Sequence, residues 1–259
     1  MNLTKYFHDF KSKRILIVGD AIIDTYLWGE IHRMSPEAPV PVVDVAVNQN
    51  DSRLGGAANV ALNLKELGAE SILCTVIGND NRGIIFEQLM QEQGLSLDGM
   101  LISNGRKTTT KTRVIADNKH QLRIDEEDTY PIKVENQFYN LIEKLTHNID
   151  AIILQDYNKG VLTETIIEKI ISLANSKNIP TIVDPKKQNF LSYKECTLFK
   201  PNLKEINEGL NTNPDINNFS EIEETTSKLR KIISAKAILL TLSNKGIFLN
   251  TRNGSKIKE

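Results

Sequence analysis

The chain has 259 residues, of which 40% are hydrophobic and 25% are charged, and its formal net charge is -1. That length and composition suit one principal α/β domain with a sizeable core. The near-neutral charge excludes a broad basic field for nucleic acid or an anionic membrane, and no apolar run approaches the roughly 18 residues of a membrane span. We therefore expect a cytoplasmic protein, with Cys74 and Cys196 as plain interior thiols.

Apolar runs of strand length recur along the chain, at residues 14–19, 71–77, 151–154, 181–183 and 237–241. The segments between them carry apolar stripes at helical spacing, at residues 60–67, 166–174 and 222–233. Near-continuous apolar strands are typical of parallel sheets that are buried on both faces. The alternation therefore predicts an α/β fold with a mainly parallel central sheet and helices on both faces.

Two stretches break this alternation and predict antiparallel β structure. The first, residues 38–47, is rich in β-branched side chains, and Pro39 and Pro41 favour an edge strand because proline cannot donate to a ladder. The second, residues 108–125, alternates polar and apolar side chains and turns at residues 117–119. Together the two stretches predict a small sheet beside the main one.

Polar residues that follow the first strand are candidates for ligand binding, because open parallel sheets bind ligands at the carboxyl ends of their strands. Asp20 and Asp24 offer carboxylates to sugar hydroxyls, although an ordinary turn with an Asx cap explains either residue alone. Gly55, Gly56 and Asn59 open the helical stripe, where free N–H groups can meet an oxygen-rich ligand. A tight turn is the alternative for the glycine pair.

Later strands also end in polar clusters. Asp156 and Lys159 follow the run at residues 151–154, and Lys186 follows the run at residues 181–183. Ammonium groups are point charges that suit phosphate oxygens, so the two lysines are candidate phosphate ligands. The alternative is that each lysine lies on a solvated loop.

Asn202 and Glu205 are three residues apart at a predicted helix start. Their oxygens can hold Mg²⁺ through its waters, since magnesium dehydrates reluctantly. A capping box, with Asn at the N-cap and Glu at N3, explains the same spacing. Thr241, Ser243 and Gly246 follow the last strand and can pass beneath a nucleotide, although a plain hairpin turn is the competing interpretation.

Several well-known kinase and nucleotide signatures do not occur in the sequence. It contains no G-x-x-x-x-G-K-[ST] loop, no G-x-G-x-x-G fingerprint, and no H-R-D or D-F-G set. These findings argue against P-loop, dinucleotide-binding and protein-kinase chemistry. The four histidines are isolated, so we treat them as structural or exposed.

Taken in order, the motifs resemble the ribokinase family of carbohydrate kinases, and within it the heptose 7-phosphate kinases. The resemblance runs from Ile15 to the end of the chain and rests on an ordered set of segments: Gly19-Asp20 with Asp24, residues 35–43, 55–61, 110–114, 121–125, 156–160, 184–186 and 201–205. It implies a three-layer fold in one kinase domain over residues 1–259. It also implies a β lid built from residues 31–50 and 106–126, through which such proteins often form homodimers.

The resemblance also implies which residues bind each ligand. Those expected on the sugar side are Asp20, Asp24, Gly55, Gly56, Asn59 and Asp156, and charge and position add Lys111, Arg113 and Arg123 for a phosphate already on the sugar. Those expected on the nucleotide and phosphate side are Lys159, Lys186, Asn202, Glu205, Thr241, Ser243 and Gly246, with Asn202 and Glu205 organising Mg²⁺.

The activity implied is ATP-dependent phosphorylation of the anomeric hydroxyl of D-glycero-D-manno-heptose 7-phosphate, a step towards ADP-heptose. The family's Gly-Ala-Gly-Asp segment, which supplies the general base, has no match after residues 247–250, so no base is assigned and we expect it beyond Glu259. Two interpretations follow, a truncated chain or a natural short form that binds sugar phosphate or dimerises without catalysis. A related kinase for another sugar is a further alternative.

Overall fold

The computed structural model describes residues 4–46, 51–254 and 256–258. Residues 47–50 of the predicted lid lie outside this range. The helices are α1 (Thr4–Phe10), α2 (Ala57–Glu66), α3 (Asn81–Glu92), α4 (Glu135–Leu145), α5 (Glu164–Ser176), α6 (Leu203–Leu210) and α7 (Phe219–Ile232). None of the helices within these ranges combines the length and apolar character that crossing a membrane requires.

The strands form two sheets. They are β1 (Arg14–Gly19), β2 (Ala21–Met34), β3 (Pro41–Val45), β4 (Asp51–Gly56), β5 (Glu70–Gly78), β6 (Met100–Ser103), β7 (Thr110–Ala116), β8 (Lys119–Glu126), β9 (Ala151–Gln155), β10 (Thr181–Asp184), β11 (Leu198–Phe199), β12 (Ala237–Thr241), β13 (Ile247–Thr251) and β14 (Lys256–Lys258).

The main sheet has the order β14-β13-β12-β11-β10-β9-β1-β5-β6. Its pairs from β6 to β12 are parallel, and β13 and β14 continue it antiparallel. All five predicted apolar runs lie within strands of this sheet, and the three predicted helical stripes fall on α2, α5 and α7. The prediction of a mainly parallel α/β sheet is therefore confirmed.

Alternate residues of the central strand β1 point into two different cores. Leu16 and Val18 belong to a cluster with the apolar face of α5, whereas Ile17 packs in a second cluster with Phe86 and Met90 of α3. All five side chains are at most 1% exposed. Helices therefore cover both faces of the sheet around β1, as a strand without polar alternation requires.

The coverage is uneven along the sheet. On β10, β12 and β13 the residues that face α5 and α7 are buried, but their neighbours on the opposite face, including Ile182, Leu239 and Leu249, are only half-buried. Ile247, at the start of β13, is 41% exposed. Over these strands the expected second helical layer is incomplete among the described residues.

The second sheet forms the lid and has the order β3-β2-β7-β8, with β4 paired to the first half of β2. The β2–β3 and β7–β8 pairs are antiparallel, as predicted for residues 38–47 and 108–125, and Pro41 opens the edge strand β3. The β2–β4 pair is also antiparallel, although β4 was not predicted. Two features correct the prediction. The β2–β7 pair that joins the two halves is parallel, and the strand β2 begins directly after Asp20, where no strand was predicted. Its first residues, Ala21 to Ile23, are apolar and buried, which favours a strand.

Candidate active site

Polar residues at the ends of five strands, including the predicted Asp20, Asp156 and Thr241, collect at one edge of the main sheet. Strands β1, β9, β10, β11 and β12 run parallel, so their carboxyl ends face the same way. Those ends carry Asp20, Asp156, Asp184, Lys200 and Thr241. Ligands of open α/β sheets bind in such a crevice.

Asp20 and Asp156 lie behind this crevice and position its loops. Asp20 is 1% exposed, and its carboxylate accepts backbone N–H bonds from Tyr157 (2.8 Å), Lys159 (3.1 Å) and Val161 (3.1 Å). Asp156, also 1% exposed, accepts bonds from the Tyr193 hydroxyl (2.7 Å) and the backbone N–H of Asn158 (2.7 Å). These buried, bonded oxygens hold the loop at residues 157–161 in position. The sugar contacts expected of Asp20 and Asp156 stay a prediction.

Burial has an electrostatic consequence for this carboxylate pair. Burial, with a smaller effect from the nearby Asp156 charge, raises the pKa of Asp20 to about 6. Burial likewise raises the pKa of Asp156, although the Tyr193 hydroxyl bond opposes the shift. Each carboxylate is therefore less readily ionised than a solvent-exposed aspartate.

Arg106 holds the loop at residues 157–161 from the other side, and sequence reasoning missed it. Its guanidinium donates to the carbonyl oxygens of Tyr130 (3.2 Å) and Lys159. Arg106 is 7% exposed, and burial lowers the pKa of its guanidinium group. No motif marks this arginine, because its partners lie 24 and 53 residues away.

Asp24 and the glycine pair meet at the base of the lid, as predicted. A Cβ on Gly55 would lie 2.3 Å from Oδ2 of Asp24, so the carboxylate packs directly on the glycine backbone. Gly56 is the N-cap of α2 and has a φ of 59°, which side chains rarely adopt. Asn59 is exposed in the first turn of α2. Any side chain at position 55 would therefore displace the Asp24 carboxylate, so the position requires glycine.

The predicted lid cations share one face of the second sheet with Asp24. The register pairs Asp24 with Lys111 and Arg113 with Arg123, and residues that are directly paired share a face. Arg113 donates to Oδ1 of Asp24 at 2.6 Å, and Arg123 binds both oxygens of Asp125 at 2.8 and 3.0 Å. The hydrogen bond from Arg113 to Asp24, which is partly exposed, raises the pKa of Arg113.

Two residues on this face were not predicted, Tyr26 and Arg53. The guanidinium groups of Arg53 and Arg113 each lie 5.3 Å from the centre of the Tyr26 ring. Cation–π contacts of this kind fix the planes of both arginines. A signal was present in the sequence, since Tyr26 follows Asp24 at the two-residue spacing of one strand face.

Lys159 lies with the lid cations, whereas it was predicted on the nucleotide side. Its Nζ is 2.7 Å from Oε1 of Glu127, and the other oxygen of Glu127 is 3.1 Å from Nζ of Lys111. The two lysine side chains are 13% and 15% exposed. Because Glu127 joins the two ammonium groups, Lys159 and Lys111 belong to one cationic cluster.

The residues predicted on the nucleotide side are built around Lys186 and the start of α6. Asn202 and Glu205 form a reciprocal capping box: Oδ1 of Asn202 accepts from the Glu205 N–H (2.8 Å), and Oε2 of Glu205 accepts from the Asn202 N–H (2.9 Å). The remaining oxygen of Glu205 bonds to Nζ of Lys186. The Glu205 bond raises the pKa of Lys186, although burial, the largest single effect, acts to lower it.

This arrangement bears on the predicted magnesium site. Both oxygens of Glu205 already have partners, and among the described residues no group of three or more His, Cys, Asp or Glu side chains is placed to hold a metal. A direct protein cage for Mg²⁺ therefore does not fit. A water-mediated contact does fit, because magnesium keeps several of its waters when bound to phosphates. The Mg²⁺ role of Asn202 and Glu205 stays a prediction.

Thr241, Ser243 and Gly246 form the hairpin turn between β12 and β13. The turn is closed by a bond from the Leu242 N–H to the Gly246 carbonyl (2.9 Å), and Gly246 has a φ of 88°. Thr241 forms a parallel bridge with Asn202. The hairpin alternative is thus the observed geometry, and it places the turn beside the capping box.

Charges on both predicted sides of the crevice, sugar and nucleotide, act on Tyr157. Burial raises the pKa of its phenol, Asp184 and Asp24 add to the rise, and Lys186 opposes it. Lys186 also lies 5.9 Å from the centre of the ring. Asp24 and Lys186 therefore both act on one phenol, which agrees with the predicted common crevice.

A separate groove at the far end of the lid has a different character. Its lining includes Trp28 and the acidic side chains of Glu30, Asp44 and Asp117. Carboxylates repel phosphate, so this groove does not suit either expected ligand. The cationic face of the lid is the better candidate.

The sequence resembles known proteins over most of its length. Residues 12–258 match the family described as pfkB family carbohydrate kinase. The bifunctional protein HldE of Desulfatibacillum aliphaticivorans is 39% identical over 93% of this chain and 49% of that protein, and HldE of Helicobacter pylori is 38% identical over 91% and 50%. The chain thus spans about half the length of the curated relatives it matches.

Solved structures confirm the fold. Arabidopsis thaliana ribokinase, solved with ribose and ATP, superposes with a TM-score of 0.72 at 18% identity, covering 95% of this chain and 77% of that one. At that identity the likeness shows the fold alone, and it confirms the predicted ribokinase-like architecture. Together with the family match across almost the whole sequence, it shows that this chain belongs to the pfkB family of carbohydrate kinases.

Proposed function

We propose that the protein transfers the γ-phosphoryl group of ATP to the anomeric hydroxyl of D-glycero-D-manno-heptose 7-phosphate, as a cytoplasmic step towards ADP-heptose. The observation that carries this proposal is the cationic cluster beside Asp24, formed by Lys111, Arg113, Arg123 and Lys159. A kinase for an unphosphorylated sugar has no need of such a cluster. The similarity to the HldE proteins supports the same substrate.

The cluster suits a phosphate that is already on the sugar. Lys111, Lys159, Arg113 and Arg123 provide four cations, and they contact three carboxylates, those of Asp24, Asp125 and Glu127. The excess positive charge favours a phosphate dianion, and arginine adds a planar fork for paired oxygens. Asp24, on the same face, is the proposed acceptor of bonds from sugar hydroxyls.

The donor side supports ATP as the second substrate. Lys186 offers a cation to the phosphates, and the hairpin at residues 241–246 lies beside it through the Asn202–Thr241 bridge. ATP with Mg²⁺ would supply the transferred group and neutralise its charge. The protein's own contribution is to hold the two substrates in line and exclude water, which is how most phosphoryl transfer is catalysed.

Steady-state kinetics on the protein in its full natural length test the proposal. Wild type should phosphorylate the heptose 7-phosphate with ATP and Mg²⁺ and turn over ribose or fructose poorly. Arg123→Gln should raise KM for the sugar phosphate by about tenfold and leave KM for ATP unchanged. Lys119→Gln is the matched control, since Lys119 is an exposed cation on the same strand. Efficient turnover of an unphosphorylated sugar, or sugar-phosphate binding without turnover, would contradict the proposed reaction.

We propose further that two copies associate through the lid. The lid exposes large apolar side chains, among them Leu122 (49%) and Ile124 (47%) on β8, and their register with Val114 and Thr112 places them on the face opposite the cationic cluster. Exposed apolar patches often mark interfaces. Sedimentation should show a dimer that Leu122→Glu dissociates, while Ile102→Glu, at an exposed site on β6, leaves it intact.

A further inference from the structure

Glu127 has an unusual position for an acidic residue in a predicted phosphate site. It lies directly after β8, in the segment that leads from the lid back to α4. Its carboxylate contacts Lys111 of the lid at 3.1 Å and Lys159 of the main body at 2.7 Å. The side chain is 22% exposed, so the contact is partly shielded from water. One carboxylate therefore ties the lid to the body through two cations.

The geometry of this tie resembles that of a bound phosphate. A carboxylate bridging two ammonium groups presents one oxygen to each, and two oxygens of a phosphate can do the same with twice the charge. The neighbouring Asp125 also contacts Lys111 (3.0 Å), but both Nε and an amino group of Arg123 on the same strand hold it in place. No other hydrogen bond holds the Glu127 carboxylate within the described ranges. Glu127 can therefore move aside once its two lysine contacts are broken.

We propose that Glu127 is a built-in competitor for the substrate's phosphate: its carboxylate occupies the anion position between Lys111 and Lys159, and the phosphate binds by displacing it. The inference rests on the proposed function, in which the lid cations receive the sugar's phosphate. Before binding, Glu127 keeps the two lysines in place and offsets part of their positive charge. After binding, the phosphate joins the same two lysines, so the ligand replaces the protein's own tie between lid and body.

Removing the charge of Glu127 tests this competition directly. Inorganic phosphate and the heptose 7-phosphate are titrated calorimetrically into wild type, Glu127→Gln and Glu126→Gln. Glu126 is the matched control, because it is the adjacent residue, is paired with Arg82 at 3.0 Å and is 45% exposed. Glu127→Gln should bind both ligands about tenfold more tightly than wild type, since a like charge has been removed from beside the anion. Glu126→Gln should differ from wild type by less than about twofold.

The opposite results are equally clear. Unchanged or weaker phosphate binding by Glu127→Gln would overturn the inference, because it would make Glu127 only a support for the lysines. Circular dichroism checks that the variant is folded. If it is not, Glu127→Asp keeps the charge but is one methylene too short to bridge both lysines, and tighter binding is again expected. If wild type turns over the sugar phosphate but the Glu127 variants bind phosphate no more tightly, only the role of Glu127 as a competitor is refuted. If neither wild type nor any variant binds the sugar phosphate, the proposed function itself is refuted.

Discussion

The glycine pair at the base of the lid allows two neighbouring substitutions to be compared, Gly55→Ala and Gly56→Ala. The new methyl group on residue 55 would lie 2.3 Å from Oδ2 of Asp24, which is the movable end of a side chain. The one on residue 56 would lie 2.4 Å from the backbone carbonyl of Asp20, which cannot move freely. The first change should therefore damage binding, and the second should damage folding.

The magnitudes follow from these contacts. At position 56 the alanine must also adopt a φ of 59°. Such backbone strain costs about 1–3 kcal/mol, and the steric overlap adds about 1–3 kcal/mol. At position 55 the Asp24 carboxylate must retreat to an ordinary contact distance, and the Arg113 bond that it loses is partly exposed and worth less than about 1 kcal/mol. A displacement of about an ångström at a binding carboxylate can nevertheless reduce kcat/KM by about a hundredfold.

Two measurements separate these effects. Urea unfolding gives the free energy of unfolding, and steady-state kinetics with the sugar phosphate give kcat/KM. Gly56→Ala should lower the unfolding midpoint strongly, whereas Gly55→Ala should lower it little and lose most of its activity. If Gly55→Ala were as unstable as Gly56→Ala, or kept wild-type kcat/KM, Asp24 would not depend on the space above Gly55.

Three further outcomes are expected. Arg106→Leu should speed hydrogen exchange at the amides of residues 157–161, because the Lys159 carbonyl loses its buried donor, and unchanged exchange would show that Asp20 alone holds the loop. Asn202→Ala should reduce the free energy of unfolding by about 1 kcal/mol through loss of the N-cap, and a neutral result in chemical denaturation would count against the capping box. Since the pKa of Asp20 is about 6 when folded and 3.8 when unfolded, the native state binds more protons between those values, and the Asp20 contribution to stability should fall as pH rises through that window. The stability difference between wild type and Asp20→Asn, measured by urea unfolding from pH 4 to 7, should show this fall, and a constant difference would contradict it.

Strand patterns were the most predictable part of the fold. The run at residues 14–19 coincides with β1 because a strand buried on both faces needs apolar side chains throughout. The strand β2 was not predicted in full, since Asp24 and Gly29 interrupt its apolar pattern. The parallel pairing of β2 with β7 depends on a contact across 87 positions, as in Asp24 with Lys111, which local pattern does not specify.

The site shows the same division. Asp24, Gly55 and Lys111 were recognised from motifs, and the structure brings them together. The backbone bonds of Asp20 and Asp156 were not predicted, because a carboxylate at a strand end can face a ligand or the backbone and the sequence does not distinguish these. Glu127 and Arg106 carry no motif at all, and their roles follow from partners that only the fold brings near.

The bonds made by Asp20 also bear on how the crevice assembles during folding. Its partners Tyr157, Lys159 and Val161 are 137 to 141 residues away along the chain. Closing so long a segment is slow, and contacts of high sequence separation usually form only when most of the native surface is already buried. The loop that carries Lys159 should consequently be among the last parts of the protein to become ordered, and binding competence on refolding should lag behind the recovery of helical signal.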